Sequence, residues 1–221
     1  MRKIEAALFD FDGTLVNSEW FHFDCWNMAL NQFDISLAAD FYENHFAGVP
    51  TPINAKYIVD TYRLSISVEE LTNIREAMVQ QEFANHSIEL MPYAQEIIEW
   101  LYDLSIPMVI VTGSPRNDVD QTLHKLNWDK YFEFAVTRDD VTISKPDAES
   151  YSTALNRLNL GKEEVLAFED TENGLKSAKA AGLTCYGIQS NLNYHHKLSL
   201  ADGIFLSLEA VKNHLVASKL V

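Results

Sequence analysis

Four short segments hold side chains whose types and spacing could do chemistry. Asp10 and Asp12 stand two apart in Asp10-Phe11-Asp12-Gly13-Thr14-Leu15. Thr112-Gly113-Ser114 precedes Pro115, Lys145 precedes Pro146, and Glu169 and Asp170 are adjacent. Four carboxylates gathered in one place repel one another unless a hard cation lies among them. Mg2+ suits that position, because it takes oxygen ligands and keeps waters and a substrate phosphate. Lys145 would add positive charge, Thr112 a hydroxyl, and Gly113 room for close backbone approach. Ser114 followed by Pro115 predicts a helix N-cap with proline at the first helical position. A helix start offers backbone N–H groups to an anion. Together these groups describe a phosphate site built from a metal, one lysine, a hydroxyl and a helix end.

Distant residues meet only if the fold brings them to one edge. Apolar runs over 4–9, 108–112 and 165–168 each end at one of these segments, and each reads as a buried strand followed by a turn. Weaker strand signals cover 132–136 and 185–188, with an edge strand expected over 203–206. Helical spacing of apolar residues predicts helices over 93–104, 117–126, 148–158 and 171–181, the last stopped by Gly182. Alternating strands and helices predict an α/β, Rossmann-like, three-layer core with a mainly parallel sheet. Ligands in such sheets bind beyond the carboxyl ends of the strands, where these segments fall. Residues 17–90 break the alternation with aromatic-rich helical stretches. Ser67-Val68-Glu69-Glu70 reads as a capping box opening a helix towards Asn85. The expected division is a catalytic core of 1–16 and 91–221 with a helical cap of 17–90 inserted.

The order Asp10-x-Asp12-Gly13-Thr14, then Thr112 after an apolar run, then Lys145, then Glu169-Asp170 resembles the haloacid dehalogenase superfamily in its phosphatase and phosphomutase branch. The likeness spans nearly the whole chain. The segment from Ser18 to Trp26 resembles the start of the cap in the β-phosphoglucomutase-like group. The resemblance implies that Asp10 attacks phosphorus and forms an aspartyl-phosphate, and that Asp12 protonates the leaving oxygen and then activates water. It implies that Thr112 bonds the phosphoryl oxygens and that Lys145 pairs with Asp10 and the phosphate. Mg2+ would be held by the Asp10 carboxylate, the Asp12 carbonyl and Asp170, with Glu169 a direct or water-mediated ligand. Gly113 and Ser114 would bind substrate in the core, and His22 and Thr51 from the cap. Dehalogenases proper lack an aspartate at the place of Asp12, so its presence favours phosphate-ester chemistry.

Three departures from the mutase pattern stand out. Gly48-Val49 is followed by Pro50-Thr51, where β-phosphoglucomutase carries a Ser-Arg that grips a second phosphate. Threonine cannot fork two bonds to a phosphate as arginine does. Asn17 stands where many relatives have aspartate, and Ala148-Glu149 replaces the usual Pro-Asp whose acid positions the lysine. The expectation is therefore a phosphatase acting on a small phosphorylated metabolite such as a sugar phosphate, with a phosphosugar mutase as the alternative. A response-regulator receiver also gathers acids, a hydroxyl and a lysine on a parallel sheet, but its acceptor lies on the third strand. Here that region offers only Asp139-Asp140.

Composition narrows the partners. The 221 residues carry 17 Lys+Arg against 32 Asp+Glu, a net charge of −15, with no basic run. Nucleic acid and anionic membranes are thereby disfavoured. No stretch nears the ~18 apolar residues of a membrane span, and no signal-peptide run follows Met1. A cytoplasmic protein, monomer or weak dimer, is expected. Cys25 and Cys185 lack any pairing or metal spacing and read as buried free thiols. Trp20, Phe21, Phe23 and Trp26 read as cap core, and His195-His196 as a loop pair.

Overall fold

The computed structural model describes residues 3–83 and 87–221. In chain order its elements are β1 (Ala6–Phe9), α1 (Glu19–Asn31), α2 (Ala39–His45), α3 (Thr51–Tyr62), α4 (Val68–Phe83), α5 (Ala94–Asp103), β2 (Met108–Val111), α6 (Arg116–Leu126), β3 (Phe134–Val136), α7 (Glu149–Leu158), β4 (Val165–Glu169), α8 (Glu172–Ala180), β5 (Thr184–Ile188), β6 (Gly203–Phe205) and α9 (Leu208–Ala217). The chain divides into two compact units, Met1–Asn17 with Ile88–Val221, and Ser18–Ser87. Among the described residues no helix is long and apolar enough to cross a membrane.

The first unit is built on a sheet of six parallel strands in the order β3-β2-β1-β4-β5-β6. The chain winds outwards from β1 to β3, then crosses back to β4 on the other side of β1. That reversal makes the β1/β4 boundary the topological switch point, where doubly wound sheets bind ligands. Side chains alternate across the strands. Ala7, Phe9, Ile110, Leu166 and Phe168 face α5, α6 and α9, through Ile97, Leu101, Val119 and Val211. Ala6, Leu8, Val109, Val111 and Ala167 face α7 and α8, through Tyr151, Ala154, Leu175 and Ala178. With both faces covered, the strands read as unbroken apolar runs, which is why the sequence signalled them. Strand β6 lies at the sheet edge as expected. Helix α9, absent from the sequence expectations, starts at Ser207, whose hydroxyl accepts from Ala210 N–H at 3.2 Å.

The second unit is helical. Trp26, Leu30, Tyr42, Phe46, Ile58 and Leu71 form its core. Ser67 and Glu70 cap α4 reciprocally, at 2.7 and 3.1 Å. Asn85, the expected end of that helix, lies outside the described residues. Phe21 and Trp26 are buried, but Trp20 is 55% exposed, contrary to the expectation of a core residue. Trp20, Asp24 and Met28 recur at four-residue spacing and form the exposed face of α1. Cys25 and Cys185 are buried free thiols.

Candidate active site

Strand register assembles the centre of the first unit. Phe9 is level with Ile110 on β2 and with Phe168 on β4. The next residues, Asp10, Val111 and Glu169, therefore stand abreast at three neighbouring strand ends. Lys145 Nζ donates to all three: to Asp10 Oδ1 at 2.6 Å, to Val111 O at 2.7 Å and to Glu169 Oε1 at 2.6 Å. An ammonium has three donors, and each has an acceptor here. The Lys145 side chain is 9% exposed and that of Glu169 fully buried.

The loop that delivers Lys145 is held by Glu149, whose carboxylate accepts from the backbone N–H groups of Thr142 and Ile143 at 2.9 and 2.8 Å. The family resemblance implies that the acid usually found at this position places the lysine. Glu149 acts here through the loop backbone, and the Lys145 ammonium is fixed by Val111 and two carboxylates.

Glu169 occupies what alternation makes a core position. Ala167 faces α7 and α8, so Glu169, two residues on, faces them too. Its burial is satisfied by polar partners. Besides Lys145, Oε1 accepts from the Tyr151 hydroxyl at 2.7 Å, and Oε2 from Thr171 Oγ1 at 3.4 Å. Gly174 in the first turn of α8 lies against the carboxylate: a Cβ there would come within 1.8 Å of Oε2. Asp170, one residue on and half-buried, accepts from Thr14 Oγ1 at 3.3 Å. Gly13 makes room for it, with φ +86° and a Cβ position 2.2 Å from Asp170 Oδ2. Only glycine meets both conditions.

Asp12 lies on the side of Thr112 and Ser114. Its Oδ2 accepts from Ser114 Oγ at 2.5 Å and lies 3.5 Å from Thr112 Oγ1, which itself accepts from Ser114 N–H at 3.0 Å. The expected Ser114 N-cap is corrected here. Helix α6 begins at Arg116 with Pro115 as its extended N-cap residue, and no side chain caps it. The Ser114 hydroxyl is committed to Asp12. Gly113 is exposed, and a Cβ there would meet only Ser144 Oγ, at 3.8 Å. His22 and Thr51 belong to the helical unit. His22 Nδ1 lies 2.8 Å from an Arg75 nitrogen and must accept, since a guanidinium only donates. Thr51 opens α3 after Pro50. His195 Nε2 lies 2.8 Å from Gln189 O in the 192–198 turn.

Electrostatics follow from burial around one cation. Burial raises the Asp10 carboxyl pKa, Glu169 raises it further, and Lys145 opposes both. Burial favours a neutral Lys145, but Asp10 and Glu169 outweigh it and hold the ammonium charged. Burial, then Glu169, keeps the Tyr151 phenol protonated. Lys145 thus offers one positive charge to Asp10 and Glu169, with Asp170 beside them. Asp10, Glu169 and Asp170 each offer an oxygen, all within 4.8 Å of one another. A hard-oxygen set with surplus negative charge fits a divalent cation of the Mg2+ type.

A model of the haloacid dehalogenase-like hydrolases matches residues 7–188. The chain belongs to that family. A phosphorylated carbohydrates phosphatase of Thermotoga maritima is 29% identical, the match covering 92% of this chain and 94% of that protein. Validoxylamine A 7'-phosphate phosphatase of Streptomyces hygroscopicus subsp. limoneus is 31% identical, with 90% of each chain covered. The crystal structure of a candidate β-phosphoglucomutase from Thermotoga maritima superposes with a TM-score of 0.81 and 27% identity, covering 97% of this chain and 99% of that one. Family membership sets the receiver arrangement aside. Asp139 and Asp140, the acids that follow β3, are engaged with Arg116, Arg157 and Thr137.

Tyr151 and Gly174 were not singled out in the sequence. Tyr151 gives no signal of its own, since an aromatic on an amphipathic helix reads as core. Gly174 does give one: glycine inside a helix costs roughly 1 kcal/mol against alanine and marks a close approach.

Proposed function

We propose that this chain is a Mg2+-dependent phosphatase that hydrolyses a small phosphorylated carbohydrate through an aspartyl-phosphate on Asp10. The observation that carries this reading is the triple bond set of Lys145 Nζ, which presents the Asp10 carboxylate at the switch point beside Asp170. The relatives' substrates support the carbohydrate class.

In the proposed reaction an Asp10 carboxylate oxygen bonds to phosphorus as the ester oxygen leaves with its electron pair. Asp12 gives that oxygen its proton and then takes one from a water, which attacks phosphorus and releases Asp10. Thr112 would hold phosphoryl oxygens as charge shifts, and the Lys145 donor now given to Asp10 would turn to them as that carboxylate is esterified. Asp10, the Asp12 carbonyl and Asp170 would hold Mg2+, which when bound would neutralise charge on the phosphoryl group. Ser114 keeps Asp12 beside Thr112. To the helical unit we assign substrate selection, with His22 and Thr51 as the residues to vary.

Phosphate release from a panel of sugar phosphates, with Mg2+, tests the reading. Asp10→Asn should lower kcat by about a thousandfold or more, the range seen when a reacting group is removed. Wild-type turnover in that variant would sink the nucleophile assignment. The mutase alternative has the fold likeness behind it, whereas Pro50-Thr51 lacks the fork a second phosphate needs. Bisphosphate-primed isomerisation of a hexose phosphate outpacing hydrolysis would establish the mutase instead.

A further inference from the structure

Neighbouring acids have unlike surroundings. Asp170 is half-buried and Glu169 is fully buried between α7 and α8. A carboxylate oxygen has about two lone-pair sites. Both sites on Glu169 Oε1 are filled, by Lys145 Nζ at 2.6 Å and by the Tyr151 hydroxyl at 2.7 Å. Tyr151 is itself fully buried, and its ring centroid lies 5.3 Å from the Lys145 nitrogen. Burying a phenol hydroxyl is unfavourable unless it bonds, and the apolar core alone would be served by phenylalanine. The hydroxyl therefore acts on Glu169. Release from that hydroxyl would free a lone pair on Glu169 Oε1, which Glu169 could then offer to a cation at Asp10 and Asp170, already within 4.8 Å. Its departure towards the cation would also remove one of the three acceptors that fix Lys145.

We infer that Tyr151 is a positioning residue for the phosphatase reaction proposed above. Its hydroxyl commits Glu169 to Lys145 and leaves Asp10 and Asp170 as the carboxylates offered to the metal. The inference rests on that reading for its catalytic consequence, but its effect on metal binding is measurable without substrate.

Tyr151→Phe keeps the ring and removes the hydroxyl. Calorimetric titration of the metal-free protein with Mg2+ should give a Kd tightened about tenfold, the worth of one hydrogen bond to a charged acceptor. In steady state, kcat should fall about tenfold while KM stays within about twofold, the pattern of an interaction felt only in the transition state. A purely structural tyrosine would lower thermal stability and leave the Mg2+ Kd unchanged, and that result overturns the inference. Should the variant not fold, Glu169→Gln gives a second reading. Mg2+ affinity within about tenfold of wild type supports Glu169 as a partner of lysine, and a larger loss makes it a metal ligand and overturns the inference. Absence of phosphate release by the wild type would refute the phosphatase reading alone, since the titration does not depend on turnover.

Discussion

Gly174→Ala should damage this protein far more than a glycine-to-alanine change in a helix normally does. The substitution favours the helix by about 1 kcal/mol. The new Cβ would however lie 1.8 Å from Glu169 Oε2 and 1.9 Å from its Cδ. Ordinary contact needs about 3.5 Å, so the carboxylate must retreat by roughly 1.5 Å. It cannot do so and keep its bonds to Lys145 and Tyr151, which stand at 2.6 and 2.7 Å. Hydrogen bonds to a charged group are worth about 1.5–3 kcal/mol each, so losing two costs about 3–6 kcal/mol. After the helix gain the net destabilisation is about 2–5 kcal/mol, or roughly 4–20 °C in Tm for a chain of this size. Lys145 would lose an acceptor at the same time, and a misplacement of this order can lower kcat about a hundredfold. Urea unfolding and steady-state phosphate release measure both effects. Gly161→Ala is the control: that residue is exposed, at φ −73°, and its added Cβ would meet the far end of the Glu164 side chain, at 3.1 Å. If Gly174→Ala unfolds within about 0.5 kcal/mol of wild type and turns over normally, Glu169 is not locked as described.

Two further outcomes follow from charge. Burial would raise the Asp140 carboxyl pKa, but the Thr137 backbone N–H and hydroxyl, with Arg157 and Arg116, outweigh it and hold the pKa well below the usual range. A depressed carboxyl stabilises the fold above its unfolded pKa of about 4 and loses that contribution as pH falls towards the folded value. Unfolding free energy should therefore decline below about pH 4, and Asp140→Asn should cost about 1–3 kcal/mol at pH 7 while flattening the acid limb. Mg2+ at about 100 times its Kd should stabilise the protein by about 2.7 kcal/mol, read as a rise in Tm that EDTA reverses; Asp170→Asn should abolish the rise, and an undiminished rise there would refute Asp170 as a ligand.

Legibility in the sequence depended on how local each constraint is. Asp10, Thr112 and Glu169-Asp170 each terminate a strand buried on both faces, so an apolar run announces them. A parallel doubly wound sheet then brings such ends together without further information. Ser114 was read wrongly because Ser-Pro is a good local helix start, whereas its hydroxyl has a tertiary partner, Asp12, about a hundred residues away. Trp20 was read wrongly because aromatic content does not say which face of α1 is buried. Tyr151 could not be read at all. Its role depends on α7 lying over the end of β4, and that is settled by packing. Gly174 could have been found, since an unfavourable residue in a helix asks for a tertiary reason.

The acidic composition and the site pose a single electrostatic problem. A protein with a net charge of −15 has to hold an anionic phosphate. At the β1/β4 switch point Lys145 is already shared between Asp10 and Glu169, so its charge is spent before any phosphate arrives. Burial makes this sharing strong rather than screened, because the interaction lies out of water. On the proposed reading phosphate affinity at these strand ends would depend on a second source of positive charge, for which Asp10 and Asp170 lie within reach of one another. Committing Glu169 to the lysine keeps that grouping from collapsing onto Lys145. On the proposed reading one buried acid fixes the ammonium, and Asp10 and Asp170 are left for the cation that would make phosphate binding favourable.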